Sequence, residues 1–491
     1  MKAFVILIAI LIPIIGGAIV PLLKFQNGKK REKYVSLVVI INTILVFFLL
    51  CNRPEGVFTL VNLTSSISIA FAIDGLSMIF AGLVAGLWPL ATIYAFEYMK
   101  HEGKENTFFT YYTMTYGVAL GVAFSANLIT MYLFYELLTF ITLPIIMHAM
   151  DKKAMHAGRR YLIYSVGGAA FAFMGIMVLY SITGTTDFTF GGLLGAVATT
   201  GKESWLLIAY LVVFLGFGVK AAVFPLHGWL PTAGVAPTPV TALLHAVAVV
   251  KAGVFALMRV TYYSFGTDFL KGTWVQYVAM ALAIFTILYG STMAVREQHL
   301  KRRLAYSTVS NLSYIVFGIT LMTPLGLAAG LSHMIFHGVM KICLFLCAGA
   351  VIYKTHREYV YELKGFGKVM PVTMGCFLVG SLALTGIPGF CGFISKWNLA
   401  NAAVETGNTL AFAGVIALVI SAILTAVYLF TIAVQAYFPG EGFDKASVQE
   451  IEDPNNYMKI PMILLCVLML ILGCFSGPLM TMINQIAAGL V

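Results

Sequence analysis

The chain has 491 residues, 60% of them hydrophobic and only 10% charged, with a mean hydropathy of +0.93. A soluble domain carries roughly 25% charged residues, so a soluble enzyme is excluded and a polytopic membrane protein remains. The net charge of +10 sits mostly in short loops beside apolar runs, where it reads as topology and not as a nucleic-acid footprint.

A spanning helix needs about 20 mainly apolar residues. Fourteen runs qualify, near 3–23, 34–51, 72–95, 107–125, 127–149, 160–183, 204–222, 238–263, 274–295, 304–323, 327–353, 369–393, 409–438 and 457–487. The expected fold is all-α and polytopic. The first run opens like a signal peptide but lacks an A-x-A-like cleavage site and is long enough to span, so it is counted as a helix. The seventh is followed, and the twelfth interrupted, by proline: Pro225 in FPLHGWLP and Pro388 in GIPGF.

The loops alternate in charge. Lys24, Lys29, Lys30, Arg31 and Lys33 follow the first run, Lys100 and Lys104 the third, and Lys152, Lys153, Arg159 and Arg160 the fifth. Arg296, Lys301, Arg302 and Arg303 follow the ninth, and Lys354, Arg357, Lys364 and Lys368 the eleventh; the intervening loops offer little beyond Arg53, Lys202 and Lys271. The positive-inside rule then puts these basic loops in the cytoplasm and both termini on the outer side of a cell (inner) membrane. The longest polar stretch, residues 439–457, carries Glu441, Asp444, Glu450, Glu452 and Asp453 and is too short to fold alone.

If helices 4–8 and 9–13 are five-helix halves, the fourth of each is the proline-interrupted one, a pointer to an inverted repeat with its site at mid-membrane. The chain then divides into an N-terminal three-helix segment (1–106), two five-helix repeats (107–263 and 274–438) and an acidic loop with a C-terminal helix (439–491). The seven cysteines, at 51, 343, 347, 376, 391, 466 and 474, include no set that completes a tetrahedral metal site and are read as buried thiols.

Ionisable residues within spanning runs are costly and mark function. Glu136 lies well inside NLITMYLFYELLTFITLPIIMHA and is the only carboxylate deep in any run, whereas Asp74 and Glu97 sit near run ends. It is either half of a structural ion pair or a proton carrier. Lys220 is its evident partner, and a lysine can exchange its proton where an arginine is a fixed charge. The proline break after Lys220 frees backbone carbonyls, which are tolerated at depth only where protein or water meets them. His245 and Lys251 follow, six residues or about 9 Å apart on a helix; His245 read alone is a core histidine or a relay. His333, His337 and Lys341 recur at i, i+4 and i+8 and line one face. Haem ligation by that face would need a second helix with a facing ligand, and no cofactor is expected. Lys396 follows the second break as a last carrier or a snorkelling side chain. Arg259 and Arg296 read as anchors or fixed charges.

The string FPLHGWLPTAGVAPTPVTALLHAVAVVKAGVF resembles the signature of the antiporter-like, proton-pumping subunits shared by respiratory complex I, Mrp-type Na⁺/H⁺ antiporters and energy-converting membrane-bound hydrogenases. ILIPIIGGAIVPLL, AIDGLS and ANLITMYLFYELL resemble the same family. The resemblance implies fourteen helices, two inverted five-helix repeats and breaks in helices 7 and 12. It implies that Glu136 is the helix-5 glutamate paired with the helix-7 lysine, Lys220, and that Lys251 is the central helix-8 lysine. His245 then stands at a relay position, His333, His337 and Lys341 form the connecting relay, and Lys396 is the helix-12 lysine. Length resembles the Mrp D subunit, whereas LLHAVAVVKAG and the histidine–lysine face lean towards the larger subunit, so the parent complex stays open. The expected function is proton translocation within a multisubunit complex, with other membrane subunits, further antiporter-like subunits among them, as partners. Exchange with Na⁺ in that complex is left open, although no dense oxygen-ligand site is seen. A secondary transporter acting alone and a quinone- or haem-binding redox subunit are the alternatives.

Overall fold

In lipid, backbone N–H groups have no water to bond and must find carbonyls within their own segment, so runs that are apolar at every azimuth fold as helices. The computed structural model describes residues 3–440 and 450–490. Helices α1 (Val5–Leu23) and α2 (Gly28–Asn52) precede a hairpin of β1 (Phe58–Asn62) and β2 (Ser68–Phe71). Then come α3 (Gly75–Glu102), α4 (Glu105–Ala123), α5 (Leu128–Ile146), α6 (Lys152–Thr183), α7 (Glu203–Gly218) and a short turn, α8 (Trp229–Thr232). Next are α9 (Thr238–Ala246), α10 (Val249–Met258), a π-helical turn (Arg259–Phe265), a short α11 (Thr267–Leu270), α12 (Trp274–Arg296), α13 (Leu300–Thr320) and α14 (Pro324–Thr355). The chain continues through a short α15 (Phe366–Val369), α16 (Pro371–Thr385), α17 (Cys391–Glu405), α18 (Thr409–Tyr437), α19 (Asn456–Cys474) and α20 (Gly477–Ala487). Among the described residues ten helices are long and apolar enough to cross a membrane, counting Thr238–Phe265 as one, and Glu203–Gly218 and Pro371–Thr385 are shorter apolar helices.

Packing follows small residues, as it must where lipid offers no hydrophobic drive between helices. A Cβ at Gly117 would lie 2.3 Å from the Ile10 carbonyl, and one at Gly17 2.6 Å from that of Thr110, so α1 and α4 meet backbone to backbone. Gly168 and Gly216 do the same for α6 and α7. Thr238–Phe265 is buried throughout and α14 nearly so, whereas α1, α2, α18 and α19 turn most of their surface outward. The fold is therefore a ring of peripheral helices around an α9–α10/α14 axis.

Four local features depart from the expected pattern. The run 238–263 is not one helix: Val247 and Ala248 both donate to the Leu243 carbonyl, at 3.0 and 2.9 Å, which kinks the chain between His245 and Lys251. Spacing assumed a continuous helix there; the valine-rich AVAVV stretch loses side-chain freedom in a helix and resists one weakly. The twelfth run breaks at residues 386–390 as expected but resumes to Glu405, because Lys396, Asn398, Asn401 and Glu405 ended the apolar count before the helix ended. The fourteenth run is broken as well, at residues 475–476, where Gly473 meets the other break: its Cβ would lie 2.3 Å from the Gly389 carbonyl. The β1–β2 hairpin had no apolar signal; it docks on α5 through Thr130 Oγ1, which accepts from Ala70 N at 3.0 Å, and Asn127 Nδ2, which donates to the Ser68 carbonyl at 2.9 Å. Of the acidic stretch, Glu441 and Asp444 lie outside the described residues. All seven cysteines are free thiols, but only five are buried as expected; Cys51 and Cys474, at helix ends, are exposed.

Arg259 is the anchor its place near a helix end suggested, and a stronger one. The buried guanidinium pairs with both oxygens of Asp74, the second at 2.7 Å, and donates to Ser77 Oγ at 2.9 Å. The rings of Phe188, Phe255 and Tyr263 lie 4.7–5.1 Å from it. Asp74 also caps α3 by accepting from Ser77 N at 2.9 Å. This cluster ties the start of α3 to the end of α10. Asp74→Ala strands the guanidinium, and since the Asp74 side chain is 37% exposed the expected loss is at the low end of about 3–5 kcal/mol for breaking a buried pair. Chemical unfolding of the detergent-solubilised chain measures it; a midpoint unmoved by the substitution would contradict the anchor role.

Candidate functional site

The break after α7 begins with residues that cannot continue a helix into proline. Ala222 takes a left-handed φ of 56°, and Trp229 Nε1 donates to the Val219 carbonyl at 2.7 Å, filling one of the acceptors the break releases. Phe224 N donates to Thr286 Oγ1 at 3.0 Å. Lys220, wholly buried, points its ammonium at the Tyr135 carbonyl and over the Tyr135 ring, 3.6 Å from the centroid. Glu136 is the carboxylate that acts on Lys220, but the two form no direct ion pair, and Glu136 Oε1 has no hydrogen-bond partner among the described residues. The backbone neighbour of Glu136 receives the proton donor.

Lys251 lies behind this break. Gly253, two residues on, lets α10 press against the backbone of Lys220 and Ala221, where a Cβ would sit 2.5 Å from Ala221 N. Lys251 Nζ reaches His337 Nδ1 on α14 at 2.7 Å, both residues being wholly buried. One turn earlier on α14, the His333 ring lies 5.8 Å from that of His337, centroid to centroid. His333 Nδ1 meets Ser395 Oγ on α17 at 2.9 Å. Lys396 is the next residue. Its ammonium donates to the Leu384 and Thr385 carbonyls, at 2.7 and 2.9 Å, which are the acceptors freed where α16 stops. Gly386 makes room for it, with φ of 94° and a Cβ position 3.0 Å from Lys396 Cδ.

Lys341 and His245 stand on a side branch. Lys341 Nζ donates to the Leu304 carbonyl at 2.9 Å and does not touch either histidine of its own helix. The His245 ring packs on Phe345 at 4.7 Å, and neither of its nitrogens has a hydrogen-bond partner among the described residues. No hydrogen bond joins His245 to Lys251 among the described residues, and the kink at Val247 and Ala248 lies between them. The Nε2 atoms of His333 and His337 are likewise without a protein partner among the described residues.

Three contributors had no signal in the sequence. Ser395 is hidden beside Lys396 and becomes visible only as the bridge to His333. Tyr314 places its ring 5.2 Å from His333 and 5.4 Å from the Lys396 ammonium. Lys301, read as a loop charge, is buried and donates to the Ala236 carbonyl at 3.1 Å. Its place among Arg296, Arg302 and Arg303 disguised it. No group of three or more His, Cys, Asp or Glu side chains able to hold a metal occurs among the described residues.

The solved structures with the same fold include a subunit of the archaeal membrane-bound sulfane sulfur reductase (TM-score 0.88, 22% identity, covering 100% of this chain and 98% of that one). A chain of the Mrp complex from Dietzia sp. DQ12-45-1b gives a TM-score of 0.85 at 21% identity, covering 99% and 97%. A chain of respiratory complex I from Thermus thermophilus gives 0.82 at 24%, covering 99% and 100%. Among curated relatives, NADH-quinone oxidoreductase subunit N of Desulforudis audaxviator is 31% identical over 431 residues, which cover 85% of this chain and 84% of that one. NAD(P)H-quinone oxidoreductase chain 5 of Synechocystis is 33% identical, covering 79% of this chain and 56% of its own length. Na(+)/H(+) antiporter subunit A1 of Staphylococcus haemolyticus is 29% identical, covering 96% of this chain and 61% of its own length. This chain thus spans little more than half of those two longer relatives. Residues 61–109 match the model for the N-terminus of NADH-ubiquinone oxidoreductase (complex I) chain 5. Residues 125–425 match the model described as NADH:quinone oxidoreductase/Mrp antiporter, TM, and the chain belongs to that family of antiporter-like membrane subunits.

Proposed function

We propose that the chain moves protons across a cell membrane as one subunit of a larger membrane complex. The observation that carries this reading is the 2.7 Å contact between Lys251 and His337, two wholly buried titratable groups with no carboxylate between them. A lysine beside an imidazole is a donor facing an acceptor, and an imidazole that takes a proton on one nitrogen can give one up from the other. In this reading Glu136 holds the proton on Lys220, and a shift of Glu136 towards a neighbouring subunit lets it go. The proton passes from Lys220 to Lys251 and then to His337 Nδ1. It leaves from His337 Nε2 through water to His333, and passes by Ser395 to Lys396 for release. Lys341 and His245 supply charge, and a second inlet, from the side of α13.

The same reading takes the chain to cross the membrane fourteen times: the ten long apolar helices, with α4, α7, α13 and the α16–α17 pair. Both termini then lie outside. The two interrupted helices, α7 and α16–α17, support a division into two five-helix repeats, 107–263 and 274–438. Cation exchange elsewhere in the complex is compatible with it; the parent complex, whether Mrp-type, hydrogenase-type or a complex I relative, follows from the subunits that co-purify.

Three outcomes test the path in the assembled complex reconstituted in proteoliposomes. Lys251→Met and His337→Gln each lower proton flux by about two orders of magnitude, the scale of a lost proton-transfer group, while assembly on blue-native gels is unchanged; flux within twofold of the parent would reject the contact as a transfer step. Glu136→Gln and Lys220→Ala largely abolish transport, and normal rates in either would separate that pair from the mechanism. Lys396→Ala blocks release, so charge enters the subunit in a single transient but steady flux stops. Solute-coupled transport by the isolated chain would replace the whole reading with a secondary transporter.

A further inference from the structure

Helix α6 begins in a basic cavity and continues along an apolar one. The first, of about 420 Å³, is lined by Lys152, Lys153 and His156 of α6, by Pro231, Thr232 and Val235 of the segment after the α7 break, and by Arg302 of α13. The second, of about 370 Å³, lies between α6 and α7 against Ile163, Gly167, Phe171, Val212, Leu215 and Leu226. His156, Arg160, Ile163, Gly167 and Phe171 recur at spacings of three and four, so one face of α6 runs from one cavity into the other.

Arg160 stands at the junction. Its guanidinium lies 5.7 Å from the Tyr164 ring and against Gly228, where a Cβ would come within 2.5 Å of it. Arg160 has no ion pair or hydrogen bond among the described residues, although it is half-buried. Three carboxylates lie near this mouth: Glu297 pairs with Arg302 at 3.2 Å, Glu358 with His299 at 3.3 Å, and Asp151 caps α6 by accepting from Ala154 N at 2.6 Å. Among the described residues Lys152, Lys153 and Arg160 have no carboxylate partner, so the surplus at this mouth is positive.

We propose that this face of α6 is a binding site for one anionic diacyl phospholipid. The phosphate occupies the basic cavity beside Lys152, Lys153 and Arg160, and one acyl chain fills the groove against Gly167 and Leu226. Charge complementarity at one end and an apolar slot at the other, on one helix face and in the leaflet that carries the basic loops, are what such a lipid matches. The slot also touches Val219, the residue before Lys220, so the acyl chain packs against the broken end of α7. The site does not depend on the proton path.

The test uses the full-length chain, delipidated in detergent and titrated with phosphatidylglycerol or phosphatidylcholine, with bound lipid counted by native mass spectrometry. Phosphatidylglycerol is expected to bind at least about tenfold more tightly. Replacing Lys152, Lys153 and Arg160 together by Gln removes that preference, and the same change at Lys29, Lys30 and Lys33 leaves it intact. Gly167→Leu, where a Cβ meets nothing within 4 Å, fills the slot without a clash and weakens binding of phosphatidylglycerol by a similar factor. Equal affinity for the two lipids, equal loss from the control lysines, or indifference to Gly167→Leu would each overturn the proposal. The last would mean an adventitious phosphate contact only, as would inorganic phosphate competing in the millimolar range in the parent and the leucine variant alike.

Discussion

A lysine ammonium has three protons to place, and within the helices of this chain there are few carboxylates to receive them. Four buried lysines solve the problem in the same way, by donating to a backbone carbonyl of another segment: Lys220 to Tyr135, Lys301 to Ala236, Lys341 to Leu304 and Lys396 to Leu384 and Thr385. Such an acceptor is neutral. It satisfies the donor geometrically without placing a negative charge beside it, as a carboxylate would. Lys251 alone donates to a side chain that can itself be protonated, His337.

The helix breaks follow from the same constraint. A helix that stops at depth leaves carbonyls that must be met inside the protein. Trp229 meets one at the end of α7, and Lys396 meets two at the end of α16. The break and the charged residue are therefore one device seen from two sides, since the interruption supplies the acceptors that make a buried ammonium tolerable. Arg259 shows the contrast. Its guanidinium is bound by a real anion, Asp74, and ringed by aromatics, an arrangement that locks charge and position together and belongs to the scaffold.

Much of this could be read from residue order. Apolar runs separated by basic loops set out the helices, and the interruption at Pro225 and Pro388 located the two breaks that matter. Glu136, Lys220, Lys251, His333, His337, Lys341 and Lys396 stood out because ionisable side chains in apolar runs are so few. What residue order hid was of two kinds. Contacts between distant segments, such as Ser395 with His333 or Tyr314 beside Lys396, leave no local periodicity. The break at Val247 has no proline and looks like continuous apolar helix because hydropathy counts side chains and ignores which carbonyl an N–H chooses, whereas the break at residues 475–476 does carry a turn signal, Ser476-Gly477-Pro478, inside its apolar run. Lys301 was lost among neighbouring loop charges, since a count of basic residues cannot tell which of them turns inward.

The meeting of Gly473 with Gly389 and Phe390 gives the last helical pair a role that its position at the periphery conceals. The bend between α19 and α20 sits against the bend between α16 and α17 with no side chain between them. A Cβ at residue 473 would press on that backbone, so the two bends keep this contact only while the position is glycine. The C-terminal pair is therefore the surface against which the start of α17, the helix that carries Lys396, is seated.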